Sequence, residues 1–481
     1  MSETVNNAEN LDRDELIKLV GRQARLIERL QDRVSQLEAK LGEKNPTERL
    51  DEPYSQKSEE KRKAKPGKKR KLPKRRGRLS NEDKIEKANR VEAVYPEDVS
   101  REACRLSHTR VAWRLEDGKA VLVAYDIYRK GNQFGRIPGV LGRSEFGIEI
   151  VVALAHQVYC LGLSIDKACQ VLCFFQQLKL TKSQADRLLN QIARAWEPEF
   201  ESLCTILANS AIVHCDETSW SINSVWTFLN ENVTVAFYGV HKDGQTLASI
   251  LNKELFAGTL ISDDAAVYQG FSEAQKCWAH LLRKAIKLTL TSPEESRYRE
   301  LADGLLEIYR DAKRISEDGR YTEETRKSKV GALDDRILEL CGSRWAAENH
   351  DCEGDEDEYR KLCNELMRLM LAEELFVFVY RAGVEGNNNA SERELRDDAT
   401  ARKTGRTSKT PSGAKRRSII SSVLRSIGKQ LECFTLANVI DEVKQWMIRG
   451  KSSFRELAET MGHPSKTGIL NRLVINADRP S

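Results

Sequence analysis

Between Ser210 and Asp264 the chain abandons helical spacing for short apolar runs, and that change limits its fold more than any other feature. Ala211–Cys215, Val225–Asn230 and Val233–Val240 read as three successive strands, rich in β-branched and aromatic residues. Asp243-Gly244 marks a turn, Thr246–Leu255 suits a helix, and Gly258–Ser262 is a fourth strand. The first strand runs into His214, Cys215, Asp216 and Glu217, all metal ligands or acid–base groups, and the fourth ends at Asp263-Asp264. This pattern predicts an α/β domain.

Strand, strand, strand, helix, strand, with one carboxylate on the first strand and another past the fourth, is the order of a ribonuclease-H-like domain. Rigid strands can hold carboxylates together that lie far apart in sequence. Such carboxylates hold the paired divalent ions of in-line phosphoryl transfer, and magnesium favours oxygen ligands. A third carboxylate is offered by NNNASERELRDDATARKTGRTSK, where Glu392 sits in a helical segment among Arg393, Arg396, Arg402, Lys403, Arg406 and Lys409. A lone acid amid bases suits metal binding beside phosphates. Taken alone, Glu392 fits a paired acid on a solvated helix face equally well. The stretch from Asp263 to Glu392 is more than twice that from Asp216 to Asp263, so residues 290–380, with runs such as YRELADGLLEIYRDAKRI, are expected to be a helical insertion. Within it, HDCEGDEDE lacks the spacing of a calcium loop and reads as a solvated loop.

Charge is placed rather than general. KRKAKPGKKRKLPKRRGR, Lys61 to Arg78, holds twelve Lys or Arg and no acid. Of 78 basic residues, the remaining 66 face 73 acids. Pro66, Gly67 and Pro73 interrupt any helix there, which predicts a flexible arm that contacts phosphates through Lys68, Lys69, Arg70, Lys71, Lys74, Arg75 and Arg76. A nuclear-localisation or solubilising segment would have the same composition. Upstream, Leu16, Val20, Gln23, Ile27, Leu30, Val34, Leu37 and Leu41 form heptads with mostly β-branched a positions and leucine at d. That pattern favours a two-stranded parallel coiled coil, with Gln23 fixing register. No run is long and apolar enough for a membrane span, and MSETVNNAEN lacks the apolar stretch of a signal peptide. Eleven cysteines without a CxxC pair indicate neither a disulfide framework nor a zinc ribbon, which suits a reducing compartment.

RVAWRLEDGKAVLVAYDIY alternates around Asp117-Gly118, a hairpin signature. Cys104 and His108 precede it with the spacing of half a zinc site, but no second pair follows. Residues 144–205 turn helical: Glu145 to Cys160, then a helix capped by Ser164 running to Gln176, then one capped by Thr181 or Ser183. Short helices with tight turns fit a helix-turn-helix DNA reader or a helical collar on the next domain, and both stay open.

HCDETSW, FAGTLISDDAAVYQGF, QKCWAHLLRKAIKLTL and NNNASERELRDDATARKTGRTSK, in that order, resemble successive signatures of the bacterial transposase family of insertion sequence 66, from about Tyr95 to Phe454. The resemblance implies a DDE transposase whose triad and metal ligands are Asp216, Asp263 and Glu392, with two Mg²⁺ ions that Mn²⁺ can replace. Asp263 is preferred to Asp264 because it lies five residues before Tyr268, as in the family. Glu217 and Glu394 should face away from their catalytic neighbours. Cys277 and His280 resemble a C-x2-H motif found after the second acid in several DDE groups, in a supporting role or as a structural pair. Relatives often carry a cysteine-rich zinc element that this chain reduces to Cys104 and His108, so zinc is not carried over.

The implied partners are DNA (element ends and target), a second copy or higher oligomer through the coiled coil, and accessory proteins, in a bacterial cytoplasm at the nucleoid, with no membrane. The expected organisation is a coiled coil (11–42), a polar linker and basic arm (43–93), a hairpin domain (94–143), a helical region (144–205), the ribonuclease-H-like core (206–289 and 381–450) around the insertion (290–380), and a tail (451–481). Thr407 to Arg417 is expected to be a DNA-contacting loop. The rival readings are a coiled-coil dimeric DNA-binding protein without catalysis, and a metal-dependent nuclease that cuts without joining.

Overall fold

The computed structural model describes residues 80–342, 354–461 and 468–475, together with Glu28, Gln31 and Asp32, which are helical and exposed. The chain divides into Met1–Leu79 and Ser80–Ser481. The heptad and basic-arm residues named above, and Asp351 to Glu353 of the acidic stretch, lie outside the described residues.

A capped helix, α1 (Asn81–Glu86), begins the second unit earlier than expected. Ser80 and Asp83 form a reciprocal capping box, which turns the end of the expected linker into structure. Strands β1 (Arg90–Val94), β2 (Arg105–Glu116), β3 (Lys119–Lys130) and β4 (Gln133–Phe134) make a small sheet in which β1 runs parallel to β3. This domain therefore starts at Arg90 rather than 94. The β2–β3 hairpin turns at Asp117 (φ 48°) and Gly118 (φ 76°), the two left-handed residues that a tight hairpin needs.

Four helices follow: α2 (Ile148–Tyr159), α3 (Ile165–Gln176), α4 (Lys182–Ala195) and α5 (Glu197–Ala208). Ser164 and Thr181 cap α3 and α4 through side-chain bonds to Lys167 and Gln184 N–H. Leu154, Leu172, Leu189 and Phe200 share one apolar core with the large sheet.

That sheet comprises β5 (Ile212–Ser219), β6 (Ser224–Leu229), β7 (Thr234–Val240), β8 (Thr259–Ser262) and β9 (Ala274–Lys276), in the order β7-β6-β5-β8-β9. The pairs β7–β6 and β6–β5 are antiparallel, and β5–β8 and β8–β9 are parallel. Helix α6 (Gly244–Ile250), capped by Asp243, makes the crossover to β8 and is shorter than the expected Thr246–Leu255. Strand β5 is longer than expected: its ladder with β6 runs through Ser219↔Ser224, so Asp216 lies inside a strand rather than past its end.

After β9 come α7 (Trp278–Thr291), α8 (Ser296–Glu317), α9 (Glu323–Cys341), α10 (Asp355–Leu371) and the short α11 (Val377–Tyr380), packed around a second core. The insertion therefore starts at α7, before residue 290. Asp355 to Glu358 open α10 instead of forming a loop, and Glu356 pairs with Arg297 and Arg360. Helix α12 (Asn389–Lys403) crosses one face of the large sheet, and α13 (Pro411–Gln430) runs along its β7 edge.

This edge is closed by side chains rather than by another strand. Ser418, Ser422 and Ser426, one turn apart on α13, accept the outward N–H groups of Tyr238, Ala236 and Thr234 at 3.0, 2.9 and 3.0 Å. A helix rises about 6 Å in four residues and a strand about 6.8 Å in two, so the two repeats match. Pro411 and the Thr410 cap start α13 inside the segment expected to be a loop. Lys415 and Arg416 consequently pair with Glu197 and Asp186, and Arg417 stacks on Tyr159, Trp220 and Tyr238. Helices α14 (Leu436–Arg449), α15 (Ser453–Thr460) and α16 (Ile469–Ile475) complete the described chain. The expected tail is partly core, because Phe454, Ile469 and Leu470 are buried with the main cluster.

Candidate functional site

Register places the two aspartates. β5 and β8 pair as Ile212↔Thr259, Val213↔Leu260 and His214↔Ile261. Asp263 follows directly on the end of β8, two residues past the last of these pairs as Asp216 is on β5, and its charge acts on the Asp216 carboxyl. Because β8 ends at Ser262, the β5 edge beside Asp216 is free of strand pairing on that side. The β8–β9 register, Ser262↔Lys276, likewise brings Cys277 beside Asp263, and Cys277 N–H donates to Ser262 O at 3.0 Å.

Helix α12 carries Glu392 in its first turn over this face. Three sets of bonds fix the helix. At its start Asn388 donates from Nδ2 to Cys215 O (2.8 Å), lies 3.2 Å from His214 Nδ1, and donates its N–H to Cys277 Sγ (3.2 Å). Midway, Asp398 accepts from Tyr238 Oη (2.7 Å) and Arg425 Nη2 (3.2 Å). Near its end Arg402 donates to Thr218 Oγ1 and Ser219 O, both at 3.1 Å. The buried His214 is thus an anchor for α12, and burial lowers its pKa.

Charge around Asp216 is unbalanced. Its carboxyl pKa is pushed up to about 7, first by burial and then by the charges of Glu217, Asp263 and Glu392. It accepts Glu217 N–H at 2.8 Å. Burial and these like charges both disfavour the ionised carboxyl, and the oxygens of Asp216, Asp263 and Glu392 are of the type that a divalent cation prefers.

Neighbouring acids are engaged elsewhere. Glu217 and Cys215 both contact Tyr268 Oη, which places them on the face opposite Asp216, and Lys242 clasps the Glu217 carboxylate. Asp264 is held by Arg368 of α10, so it is tied to the insertion. Glu394 lies 3.8 Å from Arg425.

Glu392 meets α7. It accepts Arg283 Nη2 at 2.6 Å and lies 3.6 Å from His280 Nδ1. Burial, and after it Arg283, lower the His280 pKa against the opposing charges of Glu392 and Asp263, which favours the neutral ring. Cys277, His280 and Glu392 present ligand atoms within 4.8 Å of one another, a grouping that excludes both aspartates. Cys104 and His108 instead bond locally to Ser100 O and Ser107 Oγ.

Among the basic residues, Arg393, Arg396, Lys403 and Lys409 are exposed, whereas Arg402 is committed to β5 and Arg406 reaches Gly162 O at 2.9 Å. Sequence reasoning missed Asn388, Arg283, Lys242 and the buried Lys276, whose pKa burial lowers. Asn388 was signalled only as one of three consecutive asparagines. Arg283 lies one helical turn beyond His280, a spacing that places both on one face.

Among known families, the chain matches the model described as the transposase IS66 family over residues 143–416. The small sheet of β1 to β4 and the helices after α13 lie outside this match. No curated protein matches the chain.

Proposed function

The chain belongs to the IS66 family of transposases, whose match spans more than half of its 481 residues, and from that premise we propose that it is a DDE enzyme of ribonuclease-H-like fold. DNA is its partner. It binds the ends of a mobile element, cleaves a strand and joins the freed 3′-OH to target DNA. The observation that supports the reading is the parallel pairing of β5 with β8, which brings Asp216 on β5 near Asp263 just past the end of β8, with Glu392 in the first turn of α12 close enough to raise the Asp216 pKa. The order β7-β6-β5-β8-β9, with carboxylates on β5 and after β8, supports the fold assignment.

In this reading Asp216, Asp263 and Glu392 would hold divalent ions, which when bound would supply Lewis-acid stabilisation of the phosphoryl group and activation of the attacking oxygen. The protein's own groups position the DNA. Exposed Arg393 and Arg396 flank Glu392, and Lys242, half exposed beside Glu217, offers a phosphate contact from the opposite side. Cys277 and His280 support Glu392 from α7, and the basic arm adds contacts independent of sequence. The heptads join two copies or more, and the setting is the bacterial nucleoid.

Incubation with Mg²⁺ and labelled DNA bearing the element's flanking ends tests this. Asp216→Ala should abolish cleavage and strand transfer while leaving DNA binding within a few-fold of the wild type. Retained nicking by that variant would overturn the assignment.

A further inference from the structure

Glu392 has two possible sets of companions. On the sheet side stand Asp216 and Asp263, which offer only oxygen. On the α7 side stand a sulfur and an imidazole nitrogen, within 4.8 Å of the Glu392 carboxylate and of each other. We propose that Cys277 Sγ, His280 Nδ1 and Glu392 form a second cation site, of the zinc class, whose occupation withdraws Glu392 from the aspartates. The effect on cleavage rests on the reading above; the binding itself does not.

Ligand chemistry separates the two positions. Magnesium avoids thiolate and imidazole, whereas zinc prefers them. Tetrahedral zinc bonds of about 2.0–2.3 Å put ligand atoms about 3.3–3.8 Å apart. The observed separation of His280 Nδ1 from Glu392 is 3.6 Å, already within that range. The His280 Nδ1 atom is buried and has no hydrogen-bond partner, so a ligand position stands unused.

Burial and the Glu392 charge push the Cys277 thiol up, and backbone N–H groups, first that of Asn388, oppose them. Cys277 is the N-cap residue of α7, where its sulfur lies at the positive end of the helix and accepts Asn388 N–H at 3.2 Å. Binding replaces the thiol proton, which leaves to solvent, and displaces the Arg283 guanidinium from Glu392. Three protein ligands leave a fourth position for water.

The two ends of this site belong to different elements. Cys277 and His280 lie at the start of the insertion, and Glu392 lies on the helix that follows it. An ion there bridges α7 to α12 in place of the Arg283–Glu392 pair. Zinc and magnesium therefore compete for one carboxylate.

The test uses full-length protein and Co²⁺, which reports thiolate ligation by a charge-transfer absorption. One cobalt per chain should give that band, Zn²⁺ should erase it, and Mg²⁺ should not. Cys277→Ser should abolish the band, and His280→Ala should weaken Zn²⁺ binding about tenfold or more. Asp216→Ala should leave the band intact. Absence of a cobalt–thiolate band, or a band that survives Cys277→Ser, overturns the proposal. If Cys277→Ser misfolds by circular dichroism, unchanged zinc affinity in His280→Ala overturns it instead. The two readings separate cleanly: a cobalt band with active Asp216→Ala refutes the catalytic assignment alone. An inactive Asp216→Ala without a cobalt band refutes the zinc site alone.

Discussion

Replacing Asp216 by asparagine should make the metal-free protein more stable at neutral pH, not less. The wild-type carboxyl is raised from its ordinary 3.8 to about 7 by burial and by Glu217, Asp263 and Glu392. At about 1.4 kcal/mol per pH unit, full ionisation in the folded state costs up to about 4 kcal/mol. Solvent penetration and rearrangement of a partly exposed site reduce this, so about 1–3 kcal/mol is the expected effect. The sign follows from proton linkage. Between pH 4 and 7 the folded protein holds a proton that the unfolded chain has lost, so wild-type stability falls as pH rises through that window. The amide of D216N has nothing to ionise. The melting-temperature difference between D216N and wild type should be near zero at pH 4, open in favour of D216N through pH 7, and level off above about pH 8. Scanning calorimetry in EDTA across this range measures it, with a separation of a few °C at pH 8. Adding Mg²⁺ should raise the wild-type melting temperature by mass action and close the gap. Parallel pH curves for the two proteins would refute the crowded-carboxylate argument, and an equal Mg²⁺ response would remove Asp216 from the proposed metal site.

Two further outcomes concern how the site is held. Asp398→Ala leaves buried Arg425 and the Tyr238 hydroxyl without their shared carboxylate, and should cost about 3–5 kcal/mol by urea unfolding. Ser422→Ala leaves the Ala236 N–H on the β7 edge without its acceptor, and should cost about 1–3 kcal/mol in the same assay. A loss below about 0.5 kcal/mol would mean that water or a neighbouring serine takes over that role.

The parts of the molecule visible in sequence were those set by local rules. Ser164 and Thr181 satisfy backbone N–H groups three residues on, Asp117-Gly118 supplies two left-handed residues, and both features depend only on neighbours in the chain. The strands of the large sheet appear as apolar runs for the same reason. What stayed hidden depends on partners far away. The true length of β5 is decided by its ladder with β6, not by its own polar residues. Strand β9 has three residues, too few to show a period, and exists because β8 and the insertion flank it. Arg402, Arg406 and Arg416 look alike as charges in a basic run, yet their partners on β5, the α2–α3 turn and α4 make them structural. Composition alone cannot separate a phosphate contact from a tether.

In the proposed triad, the insertion explains how the site tolerates so long a gap before its third acid. Its ends are stitched together: Lys276 N–H donates to Glu374 O at 2.8 Å, and Trp278 N–H to Gly386 O at 2.9 Å. Gln275 binds Leu375 O and Phe378 N–H, which fixes the same junction from its side chain. A chain that leaves and returns at one point adds a module without moving what lies on either side, and its closure cost grows only slowly with length. The module also has its own core, with Leu301, Ile337, Leu366 and Phe378 buried together. The two elements that flank the junction are α7, with His280 and Arg283, and α12, with Glu392. The junction and the bonds of α12 to the sheet together bring the two elements close, and Arg283 meets Glu392 at 2.6 Å. A helical module placed there does more than separate the second and third acids: it supplies the side chains that hold the third.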